Sequence, residues 1–161
     1  MVSTDWNRET DLKRVMTAVL LAAGIGGGAF AHQGATGIVK ERMEAMSAMK
    51  DAMAVVGRML KGETTFNANE AGRAADTIAA HADDMKAQFP DTPESRQKAS
   101  EATPLVWQEP ERFNRLADEL VAAAVMLSQV SADGETAAIA SQFQAVGRAC
   151  SACHEDFRQK K

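Results

Sequence analysis

Apolar side chains recur every three or four residues along four stretches of the chain, which is the spacing of one face of an α-helix. In the first stretch, valine, methionine and leucine stand at intervals of seven from Val39 to Leu60, and Gly62 is expected to end the helix. The other stretches cover residues 67–89, 113–130 and 139–157. Residues 32–161 show no alternation of apolar and polar positions of the kind that indicates β-strands. The pattern therefore predicts four amphipathic helices.

The residues between these stretches are typical of helix ends and connections. Asn67 followed by Glu70 is a variant of the capping box that starts a helix. Asp133 and Gly134 predict a turn. Residues 90–104 are rich in proline, serine, threonine and charge, and predict a long loop between the second and third helices. Four helices that each bury one apolar stripe, joined mostly by short connections, predict an all-α fold, an antiparallel four-helix bundle.

An export signal peptide is predicted at residues 1–31. The basic pair Lys13-Arg14 precedes an apolar run, and Ala29-Phe30-Ala31 forms a small-x-small cleavage pattern. Cleavage is expected before His32, which leaves residues 32–161 as one four-helix domain without a stable membrane span. The alternative is an uncleaved anchor, although three glycines interrupt a run that is already short for a spanning helix. The leader also carries acidic residues, which a start codon assigned too far upstream would explain.

Composition and charge reduce the number of functions that the protein can have. The 161 residues carry a formal net charge of −4. This argues against a nucleic acid partner, because nucleic acids select basic surfaces. The same charge allows a basic redox partner protein without requiring one. Nine methionines and only 5% aromatic residues suit helices.

The strongest chemical signal is the run Cys150-Ser151-Ala152-Cys153-His154, which matches the C-x-x-C-H pattern of haem attachment. Residues three and four apart lie on one face of a helix, so the two thiols can each add to one vinyl group of the same porphyrin. His154 then projects its imidazole towards the iron as an axial ligand. The run falls on the apolar stripe of the fourth helix, where the ring can be buried. The expected cofactor is one covalently bound haem c.

Three other interpretations of the cysteines stay open at this point. A zinc site needs about two further ligands, and the remaining histidines, His32 and His81, lack the usual spacing. A thioredoxin-type redox pair normally follows a strand–helix unit, which the pattern does not predict. In an exported protein the cysteines could also form a local disulfide, or be a chance pair.

The C-terminal position of the motif and its continuation through Glu155-Asp156-Phe157-Arg158 resemble the class II cytochromes c. This is the family of cytochrome c prime and its low-spin, methionine-ligated relatives. The similarity extends over nearly all of residues 36–161. Its other matches are Val39-Lys40-Glu41-Arg42, Lys61-Gly62-Glu63, and Pro104-Leu105-Val106-Trp107 followed by Phe113. The resemblance implies a four-helix bundle around one covalent haem.

The resemblance also implies roles for individual residues. Arg158, one turn beyond the histidine, would lie on the proximal side of the haem, and Arg42 would lie near the haem propionates. Met46 takes the family's distal position, where it either bonds to the iron or only covers it. Periodicity alone does not choose among the methionines of the first helix, since such stripes usually fill cores. Trp107 is interpreted as a packing residue, and His81 as an ordinary exposed or edge histidine.

These assignments predict a periplasmic monohaem cytochrome that carries single electrons on a His/Met-ligated iron. The alternative is a five-coordinate cytochrome c prime that binds small gases such as nitric oxide or carbon monoxide. Enzymatic activity is not expected, because peroxidase-type chemistry needs a distal acid–base group and the apolar stripe of the first helix offers only methionine, valine and leucine. The family often forms homodimers through its first two helices, and the sequence neither predicts nor excludes a homodimer here.

Overall fold

The computed structural model describes residues 34–97 and 99–160. The signal peptide predicted at residues 1–31 and its cleavage site lie outside this part. The long helices are α1 (Gly37–Leu60), α2 (Ala68–Asp84), α3 (Pro110–Asp133) and α4 (Thr136–Phe157). A 3-10 turn, Met85–Gln88, follows α2, and a single helical turn, Leu105–Gln108, precedes α3. None of the helices in the described part is long and apolar enough to cross a membrane.

The four long helices bury their apolar stripes in one shared core. α3 packs against both α2 and α4, and α1 packs against α2. The most deeply buried large apolar side chains all belong to the predicted stripes: Val39, Val56, Ile78, Leu127, Ile139 and Val146. Complete burial of a side chain of this size contributes about 1.5–3 kcal/mol to the free energy of unfolding. The prediction of an antiparallel four-helix bundle is confirmed.

The helix ends follow the local chemistry of the sequence. The side chain of Asn67 caps α2 by accepting a hydrogen bond from the backbone N–H of Glu70 at 3.1 Å. Gly62 and Gly134 follow α1 and α3 with positive φ angles of 74°. Residues with a side chain are strained in this conformation, so these glycines end their helices at low cost.

The second helix ends earlier than its apolar stripe predicts. α2 gives way to the 3-10 turn at Met85, and Phe89 after the turn has a non-helical φ of −121° and ψ of 52°. Because Pro90 disfavours helical geometry at the residue before it, Phe89 leaves the helix. Its ring packs edge-on against Phe113, with ring centroids 4.8 Å apart. The stripe therefore predicted the burial of this segment but not its helix end.

The loop between α2 and α3, which we call the crossover loop (residues 89–104), contacts the start of α1 and the end of α4. Arg42 of α1 donates hydrogen bonds to the backbone carbonyl of Ser95 at 2.6 Å and to the hydroxyl of Ser100 at 2.5 Å. On the other side, the N–H of Thr103 donates to the carbonyl of Phe157 at 3.0 Å. The loop thus covers the end of the bundle where α1 begins and α4 ends.

Candidate haem site

One close approach between α1 and α4 shows which residues of the two helices lie at the same height. A Cβ atom built on Gly57 would lie 3.5 Å from the Cζ atom of Phe143. Met46 precedes Gly57 by eleven residues, and His154 follows Phe143 by eleven residues. Each interval is about three helical turns, and the two helices run in opposite directions. Met46 and His154 therefore lie at similar heights on facing helices.

A cavity of about 230 Å³ opens between the helices at this height. Its walls are apolar except for one lysine, two thiols and one imidazole. The lining consists of Met46, Met49, Lys50 and Met53 of α1, Ile78 of α2, Met85 of the 3-10 turn, Leu116, Ala117 and Leu120 of α3, and Gly147, Cys150, Cys153 and His154 of α4. The structure therefore brings Met46, both cysteines and the histidine to one cavity. An apolar cavity with two thiols and an imidazole on one wall suits a covalently attached porphyrin.

The electrostatics of the two cysteines count against a redox-active pair. Both are free thiols. Burial raises the pKa of Cys153 to about 11, and burial also raises the pKa of Cys150. Catalytic redox cysteines instead have a lowered pKa that exposes the thiolate at neutral pH. These thiols stay protonated at neutral pH, which does not suit thioredoxin-type chemistry.

The surroundings of His154 leave its imidazole neutral. Burial lowers the pKa of His154, the cation of Arg158 lowers it further, and the carboxylate of Glu101 opposes this effect. Neutral imidazole is the form that binds a metal ion. In the described part of the chain, no group of three or more His, Cys, Asp or Glu side chains could hold a metal ion, whereas a structural zinc site needs four ligands. His81 is half-buried on α2 and does not line the cavity.

Arg42 lies outside the cavity lining, in a buried position one turn before Met46. Its guanidinium donates to Ser95 and Ser100, and it stacks 4.4 Å from the ring centroid of Phe89. Burial lowers the pKa of Arg42 from its ordinary value. The contacts present in the structure therefore bind the crossover loop to α1.

Arg158 also lies outside the lining, one turn after His154 at the end of α4. It is exposed, and its Nε donates to Oε2 of Glu101 at 3.2 Å. Trp107 packs near Phe89, and its indole N–H donates to a loop carbonyl at 3.1 Å. This agrees with the interpretation of Trp107 as a packing residue.

Sequence reasoning missed some lining residues: Gly147 and Lys50 lay outside the predicted stripes, and Met85 was predicted only as part of the stripe of the second helix. Gly147 did offer a signal, because it precedes His154 by seven residues and so shares its helical face. Leu116 and Leu120 belong to the predicted stripe of α3, but a stripe does not say which part of the core it faces. Lys50 carried no signal, since charged residues usually lie on the solvated face of a helix.

A four-helix bundle with two thiols and a neutral imidazole on one wall of an apolar cavity defines a c-type haem protein. The family model for cytochrome c' matches residues 37–158. The chain is 34% identical over 121 residues to cytochrome c' of Pararhodospirillum photometricum, covering 75% of this chain and 95% of the relative. It is 31% identical over 126 residues to cytochrome c-556 of Agrobacterium tumefaciens (strain B2A), covering 78% and 99%.

Comparison with solved structures also finds cytochrome c'. The crystal structure of cytochrome c' from Thermochromatium tepidum superposes with a TM-score of 0.69 at 31% identity, over 76% of this chain and 95% of that one. The chain belongs to the cytochrome c' family, the class II cytochromes c. Its cofactor is the covalent c-type haem of that family.

Proposed function

We propose that the protein is a periplasmic carrier of single electrons whose haem is attached through Cys150 and Cys153, with His154 and Met46 as axial ligands. The observation that carries this proposal is the equal height of Met46 and His154 on facing helices, with both side chains lining one cavity. When bound, the haem supplies a one-electron redox couple. The electron partner is a separate redox protein.

Each residue of the site has a distinct task in this proposal. The two thiols fix the porphyrin edge to α4, and the apolar walls from α1, α2 and α3 keep water away from the iron. His154 donates its neutral imidazole from one side. Met46 donates a soft, neutral thioether from the other side, which favours ferrous iron and raises the reduction potential. Two fixed axial ligands hold the same coordination in both oxidation states, which suits electron transfer.

Arg42 is proposed to lie near the haem propionates. Its guanidinium is buried, and the acceptors of its hydrogen bonds are neutral oxygens of Gln88, Ser95 and Ser100. A buried cation gains from a nearby anion. Arg42 also lies one turn before Met46 on α1, next to the cavity but outside its lining. The carboxylates of the haem propionates would supply that negative charge.

Gas binding at five-coordinate iron is the second candidate. It is favoured by the cytochrome c' relatives and by an apolar distal wall that would admit a small neutral ligand if Met46 were not bonded. Neither candidate is an enzyme. In the lining described above, Lys50 and His154 are the ionisable groups besides the thiols, and His154 is assigned to the iron, so the distal wall has no histidine or carboxylate for acid–base catalysis.

The replacement Met46→Ala separates the two candidates. If Met46 bonds to the iron, the variant should change a low-spin absorption spectrum to a high-spin one and should bind carbon monoxide, because it opens one axial position. Absorption spectra of both oxidation states, with and without carbon monoxide, measure this change. Met53→Ala is the matched control: it removes a second cavity methionine two turns away and should leave the spin state unchanged.

The absorption spectrum of the unmodified protein shows directly whether the proposed ligation by Met46 fails. A high-spin protein that binds carbon monoxide readily before any substitution would reduce Met46 to a cover over an open position. Gas binding would then become the better description of the function.

A further inference from the structure

The crossover loop and the end of α4 are joined by a short antiparallel backbone contact. The N–H of Thr103 donates to the carbonyl of Phe157 at 3.0 Å, and the N–H of Gln159 donates to the carbonyl of Glu101 at 2.8 Å. The loop therefore has a fixed position relative to the last turn of α4, which carries His154. Glu101 is held there by its backbone, independently of its side chain.

The side chain of Glu101 uses this position to meet Arg158. Oε2 of Glu101 accepts a hydrogen bond from Nε of Arg158 at 3.2 Å, and both side chains are partly exposed. Arg158 is the residue that directly follows α4, four positions after His154, and its backbone is extended.

We propose that Glu101 is a positioning residue for the haem site, which holds and neutralises Arg158 beside His154 and so sets the reduction potential of the iron. This inference rests on the proposed ligation of the iron by His154. Ferric haem carries one more positive charge than ferrous haem. A cation near the proximal ligand therefore favours the ferrous state and raises the potential, and an anion does the opposite. Because the pair is partly exposed, the effect is modest and depends on salt.

The test is the midpoint potential of the holoprotein variants Glu101→Gln and Arg158→Gln, measured by spectroelectrochemistry at low ionic strength. Glu101→Gln should raise the potential, Arg158→Gln should lower it, and the double variant should lie close to the wild type. Each shift should shrink when salt is added. Arg158→Lys keeps the charge and should keep the wild-type potential. Glutamine retains the size of glutamate, and the backbone bonds of residue 101 remain in place.

Asp118→Asn is the matched control. It also removes one carboxylate from an exposed ion pair, but that pair joins Lys86 of the 3-10 turn to α3 rather than to α4. Its potential should stay at the wild-type value. If Glu101 and Arg158 only anchored the loop, both single variants would loosen the structure in the same way. Midpoint potentials that shift with the same sign in the two variants would therefore overturn the inference. Shifts no larger than that of Asp118→Asn would overturn it as well.

Failure of this inference can be told apart from failure of the proposed function. If the variants keep covalent pigment and the wild-type spectrum but show no change in potential, the inference is wrong and the ligation by His154 stands. If the holoprotein of His154→Ala shows the wild-type spectrum, the proposed ligation is wrong, and the inference falls with it.

Discussion

At the scale of single residues, the proposed haem site depends on three side chains whose pKa values are shifted mainly by burial. Cys150 and Cys153 are protonated thiols, and His154 is a neutral imidazole. Thiols in this state have little tendency to exchange disulfides. In the proposed site they would add to the vinyl groups of the haem, and α4 presents them one turn apart on one face.

The covalent bond to the haem can be tested by extraction. Acid–acetone should leave the pigment on the wild-type protein, because thioether bonds survive this treatment. Cys150→Ala or Cys153→Ala should weaken the retention, since each leaves one thioether, and the double variant should lose the pigment. The pigment that remains with the protein is measured by absorption.

Ser151→Ala is the control for this extraction. Ser151 lies between the two cysteines, but it is exposed, and its hydroxyl donates to the carbonyl of Gly147 at 3.0 Å within α4. Retention in this variant should equal that of the wild type. Complete loss of pigment from the wild type would contradict attachment through the motif.

At the scale of elements, α4 combines a packing face with a binding face. Ile139, Val146 and Phe157 are buried in the shared core, whereas Gly147, Cys150, Cys153 and His154 line the cavity. A glycine within a helix lowers helix stability by about 0.5–1 kcal/mol relative to alanine. Apart from its chain neighbours and the backbone of its own helix, a Cβ atom at Gly147 would meet no atom within 4 Å. We infer that this position is left bare for the edge of the porphyrin.

The substitution Gly147→Ala tests this role of α4. In the holoprotein the added methyl group should enter space taken by the cofactor and lower the free energy of unfolding by about 1–3 kcal/mol. Gly72→Ala in α2 is the matched control, because its Cβ would make an ordinary contact, 3.6 Å from Cβ of Ser131. That variant should gain about 0.5–1 kcal/mol from helix propensity. Thermal unfolding followed by circular dichroism measures both, and equal stabilisation of the two variants would contradict the inference.

At the scale of the whole molecule, the bundle buries Cys153 and leaves Met46, Cys150 and His154 half-buried at the cavity. In the part that the structure describes, the exposed large apolar side chains are Val125 and Met126, both on α3. The first two helices, through which the family often pairs, do not carry them. A homodimer through α1 and α2 stays a prediction from the resemblance.

Export is a prediction for the whole protein. Haem attachment to two reduced thiols outside the cytoplasm is the route implied by the family resemblance. We expect the purified holoprotein to begin near His32, and N-terminal sequencing measures this. Ala31→Lys should keep the leader attached, because signal peptidase sites require a small residue there. An intact Met1 on wild-type holoprotein would show that residues 1–31 are not cleaved.

The amino-acid sequence by itself determined the four helices, most of their ends and the attachment motif. These features depend on local chemistry. A stripe at helical spacing, a capping asparagine and a glycine with positive φ act within one or two turns of the chain. The C-x-x-C-H spacing is equally local, because one helical turn brings the thiols and the imidazole to one face. The early end of α2 is the exception, since the apolar stripe continued past the point where Pro90 ended the helix.

Tertiary structure alone decided which residues meet across the cavity. Periodicity offered several methionines in α1, of which the structure places Met46, Met49 and Met53 in the lining of one cavity with His154. The register against α4 puts Met46 at a similar height to His154, in agreement with the choice that the resemblance implies. The contact of Arg42 with the crossover loop and the pair of Glu101 with Arg158 join residues far apart in the chain. Such contacts depend on how the helices slide and rotate against one another. That arrangement is set by the packing of all four stripes together, and no single stretch of sequence records it.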